Sequence, residues 1–74
     1  MFLIKSSKVI INFSKQFYSE ESLYETKKEY DTICNSTIIA YKGYFKVELM
    51  PASREFDLRK LALEFSNYAL SVQK

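Results

Sequence analysis

The stretch STIIAYKGYFKVELMP, residues 36–51, contains both the only glycine and the only proline of the chain, and it fixes what the middle of the molecule can be. Two alternating runs, STIIAY and YFKVEL, meet at Lys42-Gly43. A two-residue loop ending in glycine marks a β-hairpin, because the primed turns that join tight hairpins use positive φ. The register that follows sets Tyr41 opposite Tyr44, Ile39 opposite Lys46 and Thr37 opposite Glu48 on one side of the sheet. Ile38, Ala40, Phe45, Val47 and Leu49 take the other side, which is nearly all apolar and must face the core. Pro51 stops the second strand, since it offers no amide hydrogen to a ladder.

Upstream, KVIINF (Lys8–Phe13) alternates in the same way. Val9, Ile11 and Phe13 share one face and Lys8, Ile10 and Asn12 the other, so a strand is expected there, with an extension back to Phe2 as an option. Ser19 followed by Glu20 and Glu21 reads as an N-cap with acidic residues at the positive end of a helix dipole. The spacing predicts a helix to near Asn35, with Leu23, Tyr30 and either Ile33 or Cys34 on its buried side. In the last segment Ser53 or Asp57 caps a helix whose stripe is Leu58, Leu61, Phe65, Ala69 and Val72. Leu63 and Leu70 lie off that stripe, either as peripheral core or as a contact for a partner helix.

The resulting order, β-α-β-β-α, predicts a single α+β domain over residues 1–74. A right-handed crossover leaves room for the third strand between the first two, giving a three-stranded antiparallel sheet of order 1-3-2 with two helices on one face. That is a ferredoxin-like arrangement truncated by its last strand. The edge of the first strand, Lys8 to Phe13, is then open and apolar, and such edges invite pairing with another chain. A peptide, a second copy or a strand of a larger protein would fill it; alternatively, Met1 to Ile4 fold back over it.

Composition removes several classes of function. A chain of 74 residues with 47% hydrophobic residues folds, yet small domains bury only about 60% of the surface their unfolded chains expose, so help from a partner is expected. With one cysteine and no histidine there is no internal disulfide and no ordinary zinc site, and Cys34 reads as a buried structural thiol. No cofactor and no catalytic constellation are expected. A formal net charge of +2 is poor equipment for phosphate binding. Lys42-Gly43-Tyr44 opens like an RNA-recognition signature, but Phe45 stands where a small residue belongs and Lys46 where a stacking aromatic belongs. Lysines interrupt the apolar start of the chain, and no stretch reaches the ~20 apolar residues of a membrane span, so a cytoplasmic protein without nucleic-acid or membrane partners is expected. The outward residues Tyr41, Tyr44, Ile39 and Lys46 make an amphipathic patch suited to protein contact.

Taken in order, FSKQFYSEESLYETKKEYDTI, KGYFKVELMP and DLRKLALEFSNYAL resemble the HxsD family, small proteins of the His-Xaa-Ser peptide-maturation systems. The residues that carry the resemblance are Tyr18 with the helix after it, the Gly-Tyr hairpin ending in proline, and Glu64-Phe65-Ser66-Asn67 with Leu70. The resemblance implies a non-catalytic accessory protein, working beside a radical SAM enzyme that modifies a ribosomally made precursor peptide. On that reading the first-strand edge, Lys8, Ile10 and Asn12, holds the peptide. The Ile39, Tyr41, Tyr44 and Lys46 face or the Leu63 and Leu70 strip holds the enzyme. The alternative is a homodimeric structural or regulatory module that pairs through its open edge.

Overall fold

A computed structural model describes residues 2–73. The elements are β1 (Phe2–Lys5), β2 (Lys8–Ser14), α1 (Glu20–Glu29), β3 (Cys34–Ala40), β4 (Tyr44–Pro51) and α2 (Leu58–Ser71). They form one antiparallel sheet in the order β1-β2-β4-β3, with a single core between the sheet and the two helices. The three strands expected from sequence stand in the expected order, and β1 is a fourth that the three-strand expectation lacks.

The correction turns on Ser6-Ser7. Instead of one long strand back to Phe2, the chain reverses there and Phe2 pairs with Ile11, Leu3 with Ile10, Ile4 with Val9 and Lys5 with Lys8. Ser6 takes φ 56, the one positive φ among the described residues. Non-glycine residues visit that region at a cost of roughly 1–2 kcal/mol, so Ser-Ser is a weak hairpin signal in sequence. Gly43, in contrast, has no positive φ, and neither has Lys42, so the loop that joins Tyr41 to Tyr44 is not the primed turn expected from sequence. The edge expected to be open from Lys8 is therefore covered by β1 as far as Ile11. The fold-back alternative describes this arrangement for residues 2–4, while Met1 lies outside the described residues.

The β3–β4 register is the expected one, with Thr37 on Glu48, Ile39 on Lys46 and Ala40 on Phe45. Tyr41 N–H donates to the Tyr44 carbonyl at 2.8 Å, closing the hairpin. Phe45, Val47 and Leu49 are buried with Val9, Ile11 and Phe13 of β2, which they face across the ladder. Above them α2 lays down Leu61, Phe65 and Ala69, and α1 adds Leu23. Each such leucine, valine, isoleucine or phenylalanine contributes about 1.5–3 kcal/mol when fully buried. Phe65 is central: its ring centroid is 6.2 Å from that of Phe13 and 5.5 Å from that of Tyr30.

α1 ends at Glu29 with Tyr30 as C-cap, six residues short of the predicted Asn35. Strand pairing wins over helix continuation here: Cys34 pairs with Pro51 and Asn35 with Met50, while Cys34 and Ser36 turn inward as alternate strand residues. Ser22 and Thr26 are buried on the inner side of α1. Their hydroxyls donate back to the Ser19 and Ser22 carbonyls at 2.9 and 2.7 Å, so neither is left unpaired. Asp57, not Ser53, caps α2, accepting from the Arg59 and Lys60 amides. The helices are tied end to end by Gln73, whose side-chain oxygen accepts from the Ser19 amide at 2.9 Å and the Ser19 hydroxyl at 3.1 Å. Its amide nitrogen donates to the Phe17 carbonyl.

Candidate functional site: an uncovered sheet face

Both helices share the core face of the sheet, so the opposite face is left without a layer over it among the described residues. Strand pleating brings alternate side chains onto it in rows. One row runs Leu3, Ile10, Glu48, Thr37 across all four strands. The next holds Asn12, Lys46 and Ile39, and beyond it Ser14 and Tyr44 meet Tyr41. Toward the other end lie Lys5, Lys8, Met50 and Asn35.

The apolar members are strongly exposed: Leu3 by 60%, Met50 by 48%, Tyr41 by 42%, and Ile39 and Tyr44 by 38% each. The two tyrosine rings stack at 5.0 Å between centroids with 17° between planes, which holds them as one flat amphipathic plate. Glu48 sits in the middle and bridges two lysines, receiving Lys8 Nζ at 3.0 Å and Lys46 Nζ at 3.4 Å. The Lys8 hydrogen bond, ahead of the remaining charge and hydrogen-bond contributions, holds its carboxyl below the ordinary glutamate range. With Lys5 also on this face, cations outnumber the one carboxylate.

Seven of the nine residues expected from sequence meet on this face: Lys8, Ile10, Asn12, Ile39, Tyr41, Tyr44 and Lys46. They were assigned to two separate surfaces, an edge and a hairpin face, and the sheet makes them one. Leu63 and Leu70 do not join them. They stand 53% and 56% exposed on α2, in the helix layer, so the peripheral-core alternative does not hold for either. Leu63 does share a groove of about 270 Å³ with Asn12, together with Phe2, Ile11, Phe13 and Tyr18, at the end of β2 that β1 leaves uncovered. Leu3, Lys5 and Met50 were missed. Met50 was within reach, being one step beyond Glu48 in the correctly read register, whereas Leu3 and Lys5 needed the Ser6-Ser7 reversal.

Among the described residues, three titratable groups away from this face are shifted. Cys34 Sγ lies 3.6 Å from the Tyr30 carbonyl and 3.8 Å from Ser36 Oγ, and burial pushes the thiol up. Tyr30 and Tyr68 are raised first by burial, with Glu64 next for Tyr30 and Glu29 next for Tyr68. Each of these shifts, like that of Glu48, moves the group away from neutrality, so none is tuned as an acid or base for work near pH 7. Among the described residues no cluster of three or more His, Cys, Asp or Glu could hold a metal, and no helix is long and apolar enough to cross a membrane. Tyr18, ahead of α1, packs edge-on against Phe13 at 4.7 Å, and Asn67 and Glu64 are exposed on α2. Compared with known proteins, the chain matches no family model, no curated protein and no solved structure.

Proposed function

We propose that this chain is a non-catalytic accessory protein of a radical SAM enzyme that modifies a ribosomally made precursor peptide in the cytoplasm, docking enzyme, precursor or both on the uncovered sheet face. The observation that carries the reading is the exposure of Leu3, Ile39, Tyr41, Tyr44 and Met50 on one face, around a central Lys8–Glu48–Lys46 ion-pair network. The stacked Tyr41–Tyr44 pair with Ile39 forms an exposed amphipathic corner of that face, and aromatic anchors supply much of the binding energy in interaction sites. The tie to peptide maturation rests on the sequence resemblance to the HxsD family. In fold terms, β2-α1-β3-β4-α2 is read as a ferredoxin-like core in which β1 takes the place of the missing last strand.

The mechanism is recruitment. Binding energy gained far from the reacting atoms holds the substrate in register with the enzyme and so raises the effective rate of a step this protein does not itself perform. No cofactor belongs to the chain on this reading; the iron–sulfur chemistry resides in the enzyme. The test is co-expression of this protein with the radical SAM enzyme and precursor encoded beside it, with precursor mass as the readout. Modification that is complete with the protein and lost when it is omitted supports the reading. Full modification without it, or the absence of such neighbours, overturns it.

A further inference from the structure

The two edges of the sheet differ in a way that points to a partner. β1 is a four-residue edge that includes Lys5, whereas β3 is a seven-residue edge, Cys-Asn-Ser-Thr-Ile-Ile-Ala, with no charge and no proline. Native sheets usually blunt long edges with charge, proline or a bulge, and β3 has the first two of these nowhere along its length.

Its hydrogen-bonding parity follows from two observed bonds. Tyr41 N–H donates to the Tyr44 carbonyl, and Ala52 N–H donates to the Ile33 carbonyl. Antiparallel ladders alternate, so residues 35, 37 and 39 direct their backbone groups at β4, while Ser36, Ile38 and Ala40 direct theirs away from the sheet. Those three residues present a ready strand template.

We propose that β3 pairs antiparallel with β3 of a second copy, about a two-fold axis at Ile38, joining two four-stranded sheets into one of eight. In that register Ile38 meets Ile38 of the second copy, Ser36 meets its Ala40 and Thr37 meets its Ile39. Three hydrogen-bonded pairs form, two bonds in each. A second copy is the occupant because an isologous interface must complement itself, and this strand brings no charge to repel its own image. The outer faces then become continuous, placing Ile39 and the Tyr41–Tyr44 plates of both copies on one surface.

The experiment uses the purified chain alone, so it is independent of any enzyme or precursor. Light scattering and sedimentation across the micromolar range are expected to give a dimer. Ala40→Pro removes an N–H that the monomer does not use and that the dimer needs, so a monomer with an unchanged circular dichroism spectrum is expected. Thr37→Lys with Ile39→Lys sets lysine against lysine across the axis and is expected to weaken the dimer at least tenfold. Thr37→Lys with Ile39→Glu sets lysine against glutamate in the same register, and is expected to restore it. A monomer at all concentrations overturns the proposal. So does a dimer that survives Ala40→Pro, or one that responds equally to the two double substitutions, because the contact then lies elsewhere or in another register.

Discussion

The two faces of this sheet are made by the same strands and end in opposite states. Along β4, Phe45, Val47 and Leu49 are buried to 5% exposure or less, Lys46 and Glu48 between them are half-buried, and Tyr44 before them and Met50 after them keep 38% and 48%. The contrast lies in what packs on each side. Two helices cover the first face; the second has an apolar complement of Leu, Ile, Met and Tyr with no layer over it among the described residues. Alternation in a strand assigns a side chain to a face, but burial of that face is decided by other elements or by another molecule. The open face is mixed, with Leu3, Ile10, Ile39, Tyr41, Tyr44 and Met50 set among Lys5, Lys8, Asn12, Lys46 and Glu48, whereas the covered face is nearly all apolar.

The most severe way to break the comparison is in the covered face. Phe65→Ala removes a fully buried ring that touches Phe13 and Tyr30, and should cost about 3–5 kcal/mol, read as a lower denaturation midpoint. Tyr44→Ser on the open face should stay within about 1 kcal/mol in the same measurement. Similar losses for both would mean that the open face stabilises the fold and is not reserved for a partner. Next in size is the hairpin that separates β1 from β2. Ser6→Gly relieves a left-handed φ of 56 and should gain about 1 kcal/mol in urea unfolding; a loss there would contradict the reversal that puts Leu3 and Lys5 on the open face.

Of comparable size, Gln73→Ala should cost about 1 kcal/mol by releasing Ser19 and the Phe17 carbonyl. The smallest effect is a pH dependence. Because Glu48 is held below the usual carboxylate range, its contribution is present above the unfolded value and disappears as pH falls through the lowered folded value. Glu48→Gln should flatten that acid limb of the stability curve slightly, and an identical limb would show that the Lys8 and Lys46 bridges carry no net stability.

Much of the architecture was legible in the sequence because it rests on local signals. Strand alternation and the tight loop at Lys42-Gly43 set the β3–β4 register, and the 3.6-residue spacing of Leu58, Leu61, Phe65 and Ala69 identified the buried stripe of α2. What escaped lacks a local signal. Ser-Ser carries none of the glycine or asparagine that tight reversals usually use, so β1 merged into β2 on paper. The helical periodicity of Tyr30 and Cys34 continued past the point where pairing of Cys34 and Asn35 with β4 takes over, and the end of α1 was placed too late. Seven of the residues named from sequence lie on this one face but were split between two surfaces, since only the sheet order brings Ile10 and Ile39 onto one plane.

The sharpest test of the proposed function is a binding titration against a radical SAM enzyme and a precursor peptide of the peptide-maturation system it invokes. It compares three proteins: the natural chain, Tyr41→Ala with Tyr44→Ala, and Leu63→Ser with Leu70→Ser. Docking on the sheet face requires the tyrosine pair to lose at least about tenfold in affinity, roughly 1.4 kcal/mol, while the leucine pair binds as the natural chain does. Loss with the leucine pair and normal binding with the tyrosine pair would move the interface to α2 and contradict the assignment of the open sheet face.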